Sequence, residues 1–354
     1  MMDMDSLLRK MKEKKASDLH LVSGVPPAFR INGELRFLDR DVLSSEKIKS
    51  LVYPLMGEKQ RVIFEREKDL DFSYGISGVG RFRINVHYQR SSIAAAIRLI
   101  PYSIPSLEEL NLPSIIGQLC LKDKGLILVT GPTGSGKSTT LASMINIINQ
   151  TKPVHIVIIE DPIEYLHSHK KGIVEQREVG GDTVSFANSL KYCLRQDPDV
   201  IMIGEMRDLE TISTAITAAE TGHLVMATLH TPNAPGAIDR IVDVFPPYQQ
   251  PQIRLQLSTT LIAIIAQILI PRMDNTGRIP AVELLISTPA VSNLIRSGKT
   301  HQLYNTMQTG SQVGMQTMDQ SLINLVKKRL ISKEDALSRA RDARLVKESL
   351  SRFS

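Results

Sequence analysis

The segment Gly131-Pro-Thr-Gly-Ser-Gly-Lys-Ser138 constrains the fold of this chain more than any other. It satisfies the spacing G-x-x-x-x-G-K-S, with an apolar run at 126–130 before it and a helix-forming stretch after it. A glycine-rich loop between strand and helix turns backbone N–H groups inward, and the helix N-terminus adds positive partial charge. Gly131, Gly134 and Gly136 supply the backbone freedom, and Pro132, Thr133 and Ser135 complete the loop. Lys137 is placed to contact the β- and γ-phosphates, Ser138 to offer a hydroxyl to Mg2+, and Thr139 to continue the first helical turn. ATP and Mg2+ are therefore the expected ligands.

The surroundings fit a parallel α/β sheet. Near-continuous apolar runs at 126–130, 156–159, 200–203 and 224–229 alternate with helix-like stretches at 138–149, 185–195 and 209–221. Runs apolar on both faces, separated by helices, describe strands covered on both sides. The first hundred residues read differently, as a smaller mixed α/β unit. Helices are expected over 4–15 and 44–56, and strands over 19–22, 28–31, 35–37, 69–74, 81–88 and 92–99, with a turn at Asn32-Gly33. Pro101, Pro105 and Pro113 mark a linker over 101–113. The expected division is an N-terminal domain over 1–100, the linker, an ATPase core over 114–270 and a helical C-terminal part over 271–354. Helices are expected there at 290–297, 317–329 and 332–343. At 354 residues, two domains are the default.

Composition removes several classes. Two cysteines, Cys120 and Cys193, cannot build a disulfide framework or a four-cysteine zinc site. The start of the chain has no apolar signal-peptide core. The longest greasy run, 257–270, is interrupted by Ser258, Thr259, Thr260 and Gln267; it is too short and mixed to span a bilayer, and is expected as a buried core helix. The net charge of +6 is mild and no basic stripe is clustered, so nucleic acid is not an expected partner. A cytoplasmic protein follows, acting on any membrane from the side.

A phosphate loop also needs acids. Asp199-Val-Ile-Met-Ile-Gly-Glu205 looks like a second acidic strand of such a site, but Gly204 stands where an aspartate often serves the metal. Glu205 is then the candidate to polarise or orient the attacking water. The run at 156–159 ends in Glu160, Asp161 and Glu164, which can supply magnesium-side charge directly or through water. Such acids equally serve as helix caps or surface pairs. His223 and His230 bracket an apolar strand seven residues apart, so they cannot share a metal; His230 is a candidate phosphate sensor. His167 and His169 lack a third ligand. Arg81, Arg83, Asn85 and His87 share one strand face, suited either to phosphate recognition or to ordinary ion pairs.

Together these segments resemble the pilus-retraction type of the secretion-motor ATPases, within the type II/IV secretion superfamily. The resemblance runs over nearly the whole chain. It includes Ala16-Ser-Asp-Leu-His-Leu21, the phosphate loop, Ile158-Ile-Glu-Asp-Pro-Ile-Glu164, Gly204-Glu-Met-Arg-Asp-Leu-Glu-Thr211, and Ala219-Glu-Thr-Gly-His-Leu-Val-Met-Ala-Thr-Leu-His-Thr231. Asp239-Arg-Ile-Val-Asp-Val-Phe-Pro246 and Gly314-Met-Gln-Thr-Met-Asp319 extend it. It implies a PAS-like N-terminal domain, a RecA-like P-loop ATPase domain with a helical C-terminal part, and a homohexameric ring. Nucleotide would lie between domains, with Arg81, Arg83 and Arg98 helping to close the site, Glu205 catalytic, and His223 and His230 as site residues. The implied partner is the pilus platform protein of the inner membrane, and the implied work is pilin withdrawal in twitching motility. The segment Ala290-Val-Ser-Asn-Leu-Ile-Arg-Ser-Gly-Lys299 is similar to the retraction signature and departs from it at Val291, Ser292 and Ser297. An accessory retraction paralogue, a related secretion or DNA-translocating ring, and a docking protein with little turnover are the alternatives.

Overall fold

Alternating segments come first in the chain and build one sheet; continuous apolar runs follow and build another. The computed structural model describes residues 3–31, 33–38, 41–100 and 103–351. Its contacts divide into two units, Met1–Ser103 with Glu164–Leu166, and Ile104–Ile163 with His167–Ser354.

The first unit holds strands β1 (Asp18–Leu21), β2 (Ala28–Ile31), β3 (Glu34–Phe37), β4 (Asp69–Ile76), β5 (Gly80–Gln89) and β6 (Ser92–Ile100). They form an antiparallel sheet in the order β3-β2-β1-β6-β5-β4. Period-two alternation decides its faces: Phe82, Ile84 and Val86 are fully buried while Arg83 between them is exposed. Helices Met4–Glu13 and Ser45–Val52 give Leu8, Met11, Ile48 and Val52 to the same core. Asp3 and Ser44 cap their starts by accepting the Ser6 and Lys47 N–H groups. Ile31 pairs with Glu34 around the expected turn, of which Asn32 lies outside the described residues. A third helix, Glu58–Glu67, was not anticipated; it buries only Phe64, so its apolar stripe is too thin to read.

The second unit contains β7 (Gly125–Thr130), β8 (His155–Glu160), β9 (Ile173–Glu178), β10 (Val200–Ile203), β11 (Leu224–Leu229), β12 (Leu261–Pro271) and β13 (Arg278–Ile286). Their order is β13-β12-β7-β11-β10-β8-β9, parallel except for β13. β7, β10 and β11 are buried throughout. Successive residues of β7 feed opposite cores: Leu126 and Leu128 meet helices Leu209–Glu220 and Ala234–Asp243, whereas Ile127 and Val129 meet helix Lys137–Thr151. That is the two-sided burial expected of a parallel sheet.

The run 257–270 is not a buried helix: helix Gln250–Thr260 ends and β12 begins at Leu261, between β7 and β13. A continuous apolar run has no periodicity with which to tell a fully buried strand from a buried helix. β13 also lies within the stretch read as helical, and the C-terminal helices begin at Pro289. Of the expected linker, Pro101 is outside the described residues, while residues from 104 onward pack on the second unit. Leu107 and Leu112 are buried, and the Ser143 hydroxyl donates to Pro105 O at 2.6 Å. β9 was likewise missed, because this edge strand exposes Ile173 and Glu175.

The segment ending in Asp319 has a structural purpose. Gln316 bridges to Leu284, Thr317 caps helix Met318–Lys327, and buried Asp319 accepts the backbone N–H groups of Arg341 and Asp342 at 2.8 and 3.0 Å. Among the described residues no helix is long and apolar enough to cross a membrane.

Candidate nucleotide site

β7 delivers the chain to the phosphate loop at Thr130, and helix Lys137–Thr151 carries it away. Gly131 takes φ +144°, and a Cβ there would lie 2.2 Å from the carbonyl oxygen of Gln267, so no other residue fits. Lys137 is 8% exposed, and its Nζ donates to Gly131 O at 2.9 Å and Pro132 O at 3.1 Å. The ammonium thus spans the loop instead of pointing to solvent. Pro132, Thr133 and Gly134 are exposed, and Ser138 and Thr139 half-buried. Ser135 is buried, and its hydroxyl has no hydrogen-bond partner among the described residues. A buried hydroxyl without a partner, in a loop lined by backbone donors, suits a site completed by phosphate oxygens.

Parallel pairing of β8, β10, β11 and β7 brings their C-terminal ends to one edge. Glu160 ends β8, is 6% exposed, and accepts from Gln176 Nε2 at 3.3 Å. Gly204 follows β10, and a Cβ there would sit 3.1 Å from Ile159 O and 3.3 Å from Glu160 Cα. An aspartate at this position would press its Cβ against the backbone at the end of β8. Glu205 comes next. Its Oε1 meets His230 Nε2 at 3.0 Å and forms an ion pair with Arg207 Nε. Burial works against its charge, but the Arg207 bond, the charge of His230 and that of Arg207 outweigh this and hold its pKa below the ordinary carboxylate value. Asp161 is exposed and adds to the field that raises the pKa of Arg207.

His230 therefore joins Glu205, as its position after β11 allows. His223 does not. It precedes β11, where its carbonyl accepts from Gly125 N and its Nδ1 lies 3.0 Å from Ala218 O. The six residues of β11, at about 3.3 Å each, put roughly 20 Å between it and the phosphate end of the sheet. Glu164, Arg81, Arg83 and Arg98 all belong to the first unit. There Arg98 and Arg83 are opposite each other on β6 and β5; Arg98 Nε binds Asp18 at 2.8 Å, and Arg83 Nε lies 3.7 Å from Asp71. Bonds from Ser17 and Arg98 outweigh the effect of burial and lower the Asp18 pKa. His167 and His169 gather no third ligand among the described residues; burial presses the His167 pKa down to about 4, and His169 Nδ1 accepts from Val174 N.

Sequence reasoning missed three contributors. Gln267 of β12, 1% exposed, donates to Ser135 O at 2.7 Å and accepts from Thr140 Oγ1 at 2.9 Å. Its only sequence signal was a polar interruption in an apolar run. Glu283 of β13, 2% exposed, accepts from Ala234 N at 2.7 Å, at the start of the helix that follows His230; burial raises its pKa. A cavity of about 460 Å3 opens beside the loop, with Gly136 and Thr139 on one side and Asn111, Leu269, Arg272 and Arg278 on others. That volume lies within the range of small-ligand sites.

Among the described residues no three His, Cys, Asp or Glu side chains gather to hold a metal ion. Magnesium does not require them, because it retains waters and takes phosphate oxygens with one or two protein groups. The Ser138 hydroxyl at the start of the helix after the loop, with the strand-end acids Glu160 and Glu205, offers the oxygen chemistry that magnesium takes.

A parallel sheet with a glycine-rich loop after β7, an invading lysine and strand-end acids defines a P-loop ATPase of RecA-like fold. A model of the family described as "Type II/IV secretion system protein" matches residues 2–344, and the chain belongs to that family. It is 48% identical over 340 residues to the "Type IV pilus retractation ATPase PilT" of Pseudomonas aeruginosa, covering 96% of this chain and 98% of the relative. It is 46% identical over 342 residues to the "Type IV pilus ATPase PilU" of the same organism, covering 97% and 90%. A crystal structure of the pilus retraction motor PilT with bound ADP superposes with a TM-score of 0.91 at 51% identity, covering 98% of this chain and all of that one.

Proposed function

We propose that this chain is the motor ATPase of type IV pilus retraction, working as a homohexamer on the cytoplasmic face of the inner membrane against the pilus platform protein. The observation that carries the reading is the end-to-end match to a relative named as a retraction ATPase. The loop of Gly131 to Thr139 holds the phosphates of ATP, Lys137 exchanges its two carbonyl partners for phosphate oxygens, and the cavity beside Thr139 takes the nucleoside. Ser138 would hold Mg2+, with Glu160 and Glu205 reaching it through water, and the ion would offset phosphate charge. Glu205 orients the attacking water. While Arg207 and His230 hold its charge it is a weak base, so proton acceptance requires Arg207 to move away. His230 and Asp161 tune that pair. Arg81, Arg83 and Arg98 act from the N-terminal domain, Glu164 acts from the segment that follows β8, and domain movement around the nucleotide performs the work.

Purified protein should hydrolyse ATP, and Glu205→Gln should lower kcat by about 10²–10⁴-fold. Equal, negligible turnover in both would sink the motor reading and favour a docking protein. Deleting the gene should leave excess surface pili that do not retract; loss of pili would contradict retraction. The likeness to PilU and the departures at Ser292 and Ser297 favour one second reading, an accessory retraction ATPase. Retraction that persists after deletion would select it.

A further inference from the structure

The phosphate loop is held from a strand that contributes no residue to its sequence motif. β12 pairs with β7 up to Ala266 opposite Thr130. One residue further, β7 has turned into the loop and Gln267 faces the loop's interior in place of a strand. Its backbone oxygen closes on Gly131, its amide nitrogen donates to Ser135 O, and its amide oxygen accepts from Thr140 Oγ1. A single buried side chain therefore fastens the loop just before Lys137 and the helix just after Thr139. A Cβ at Gly136 would come 3.1 Å from the Gln267 Nε2, so the amide also lies against the last glycine of the motif.

We infer that Gln267 is a positioning residue for nucleotide binding: it fixes the loop in the phosphate-ready conformation without touching the phosphates itself. The inference rests on the nucleotide reading of this loop. A flexible glycine loop loses conformational freedom when it closes on phosphate, and a loop already tied at Ser135 and Thr140 loses less. Because the loop holds substrate and transition state alike, losing the tie weakens binding more than it slows chemistry.

The test measures ADP affinity by calorimetry and ATP turnover by steady-state kinetics, on full-length wild type, Gln267→Leu, Gln267→Glu, Thr140→Val and the Gln267→Leu/Thr140→Val double variant. Gln267→Leu keeps the packing and removes both bonds, and should raise the ADP Kd and the ATP KM about tenfold, with kcat within about threefold. Gln267→Glu retains the Thr140 bond but cannot donate to Ser135, and should also weaken binding. Thr140→Val should do so by a smaller factor, and the double variant should bind no more weakly than Gln267→Leu alone. Variants that fold like wild type and bind ADP unchanged would overturn the inference, as would a fall in kcat at unchanged affinity. Should Gln267→Leu fail to fold, Thr140→Val decides by the same measure. Wild-type protein that binds no nucleotide would instead overturn the nucleotide reading on which the inference stands.

Discussion

Glu205 shows how a few contacts set the chemistry of one side chain. Its carboxylate is ionised because Arg207 and His230 share one oxygen, and they do so against the effect of burial. Its pKa is depressed, so the stability it contributes is present above the ordinary carboxylate value and is lost as pH falls through the lower folded value. Arg207→Ala should raise the Glu205 pKa and move the acid limb of the pH–rate profile to higher pH. An acid limb that stays in place would show that Arg207 does not govern Glu205. Gly204 is the complementary case, a residue fixed by what surrounds it. Gly204→Asp, which restores the commoner acid, should not improve turnover. With Ile159 O and Glu160 Cα so close, it should cost about 1–3 kcal/mol of stability in urea titration.

At the scale of elements, β12 carries the strongest prediction. Ile265 is fully buried between β7 and β13, so Ile265→Ala should destabilise the protein by about 2–5 kcal/mol, measured by chemical denaturation. Amide exchange should protect 263–270 in strand fashion, with partners in 127–130 and 279–286. This element also marks how far the sequence could be read. The phosphate loop was legible because its signal is local: glycines, Lys137 and Ser138 stand together, with a strand before them and a helix after. β7, β8, β10 and β11 were legible because β-branched runs bounded by turns have few other uses. β12 was not, since its apolar run begins inside helix Gln250–Thr260 and passes into the strand with no turn between, and two-sided burial leaves no period to mark the change. Long-range pairing was equally silent. Nothing local to Arg98 announces Asp18, eighty residues away, and nothing local to Gln267 announces Ser135. His223 lies at the far end of β11 from Glu205, as its place before the strand requires, and only the family resemblance had put it among the site residues.

On the scale of the whole molecule, each unit has a buried core of its own. Residues 104–354 expressed alone should fold and bind ADP, with affinity followed by calorimetry. Hydrolysis should fall in that fragment if Arg81, Arg83 and Arg98 act at the nucleotide as proposed; undiminished hydrolysis would remove them from the site. The C-terminal part is fastened by buried carboxylates, Asp319 on the backbone at Arg341 and Asp342, and Glu283 on the backbone at Ala234.

The hairpin of β12 and β13 joins the Glu283 fastening to the Gln267 tie on the phosphate loop. Ala266 pairs with Glu283 and Gln267 with Val282, so the two buried polar side chains leave neighbouring positions toward opposite faces of one sheet. On one face an amide steadies the loop that grips phosphate; on the other a carboxylate steadies the helix that begins just after His230. The phosphate loop and the helix that follows His230 thus share a single two-stranded chassis. A shear of that ribbon by a fraction of its register would be felt by both at once, and neither could be retuned by moving it alone.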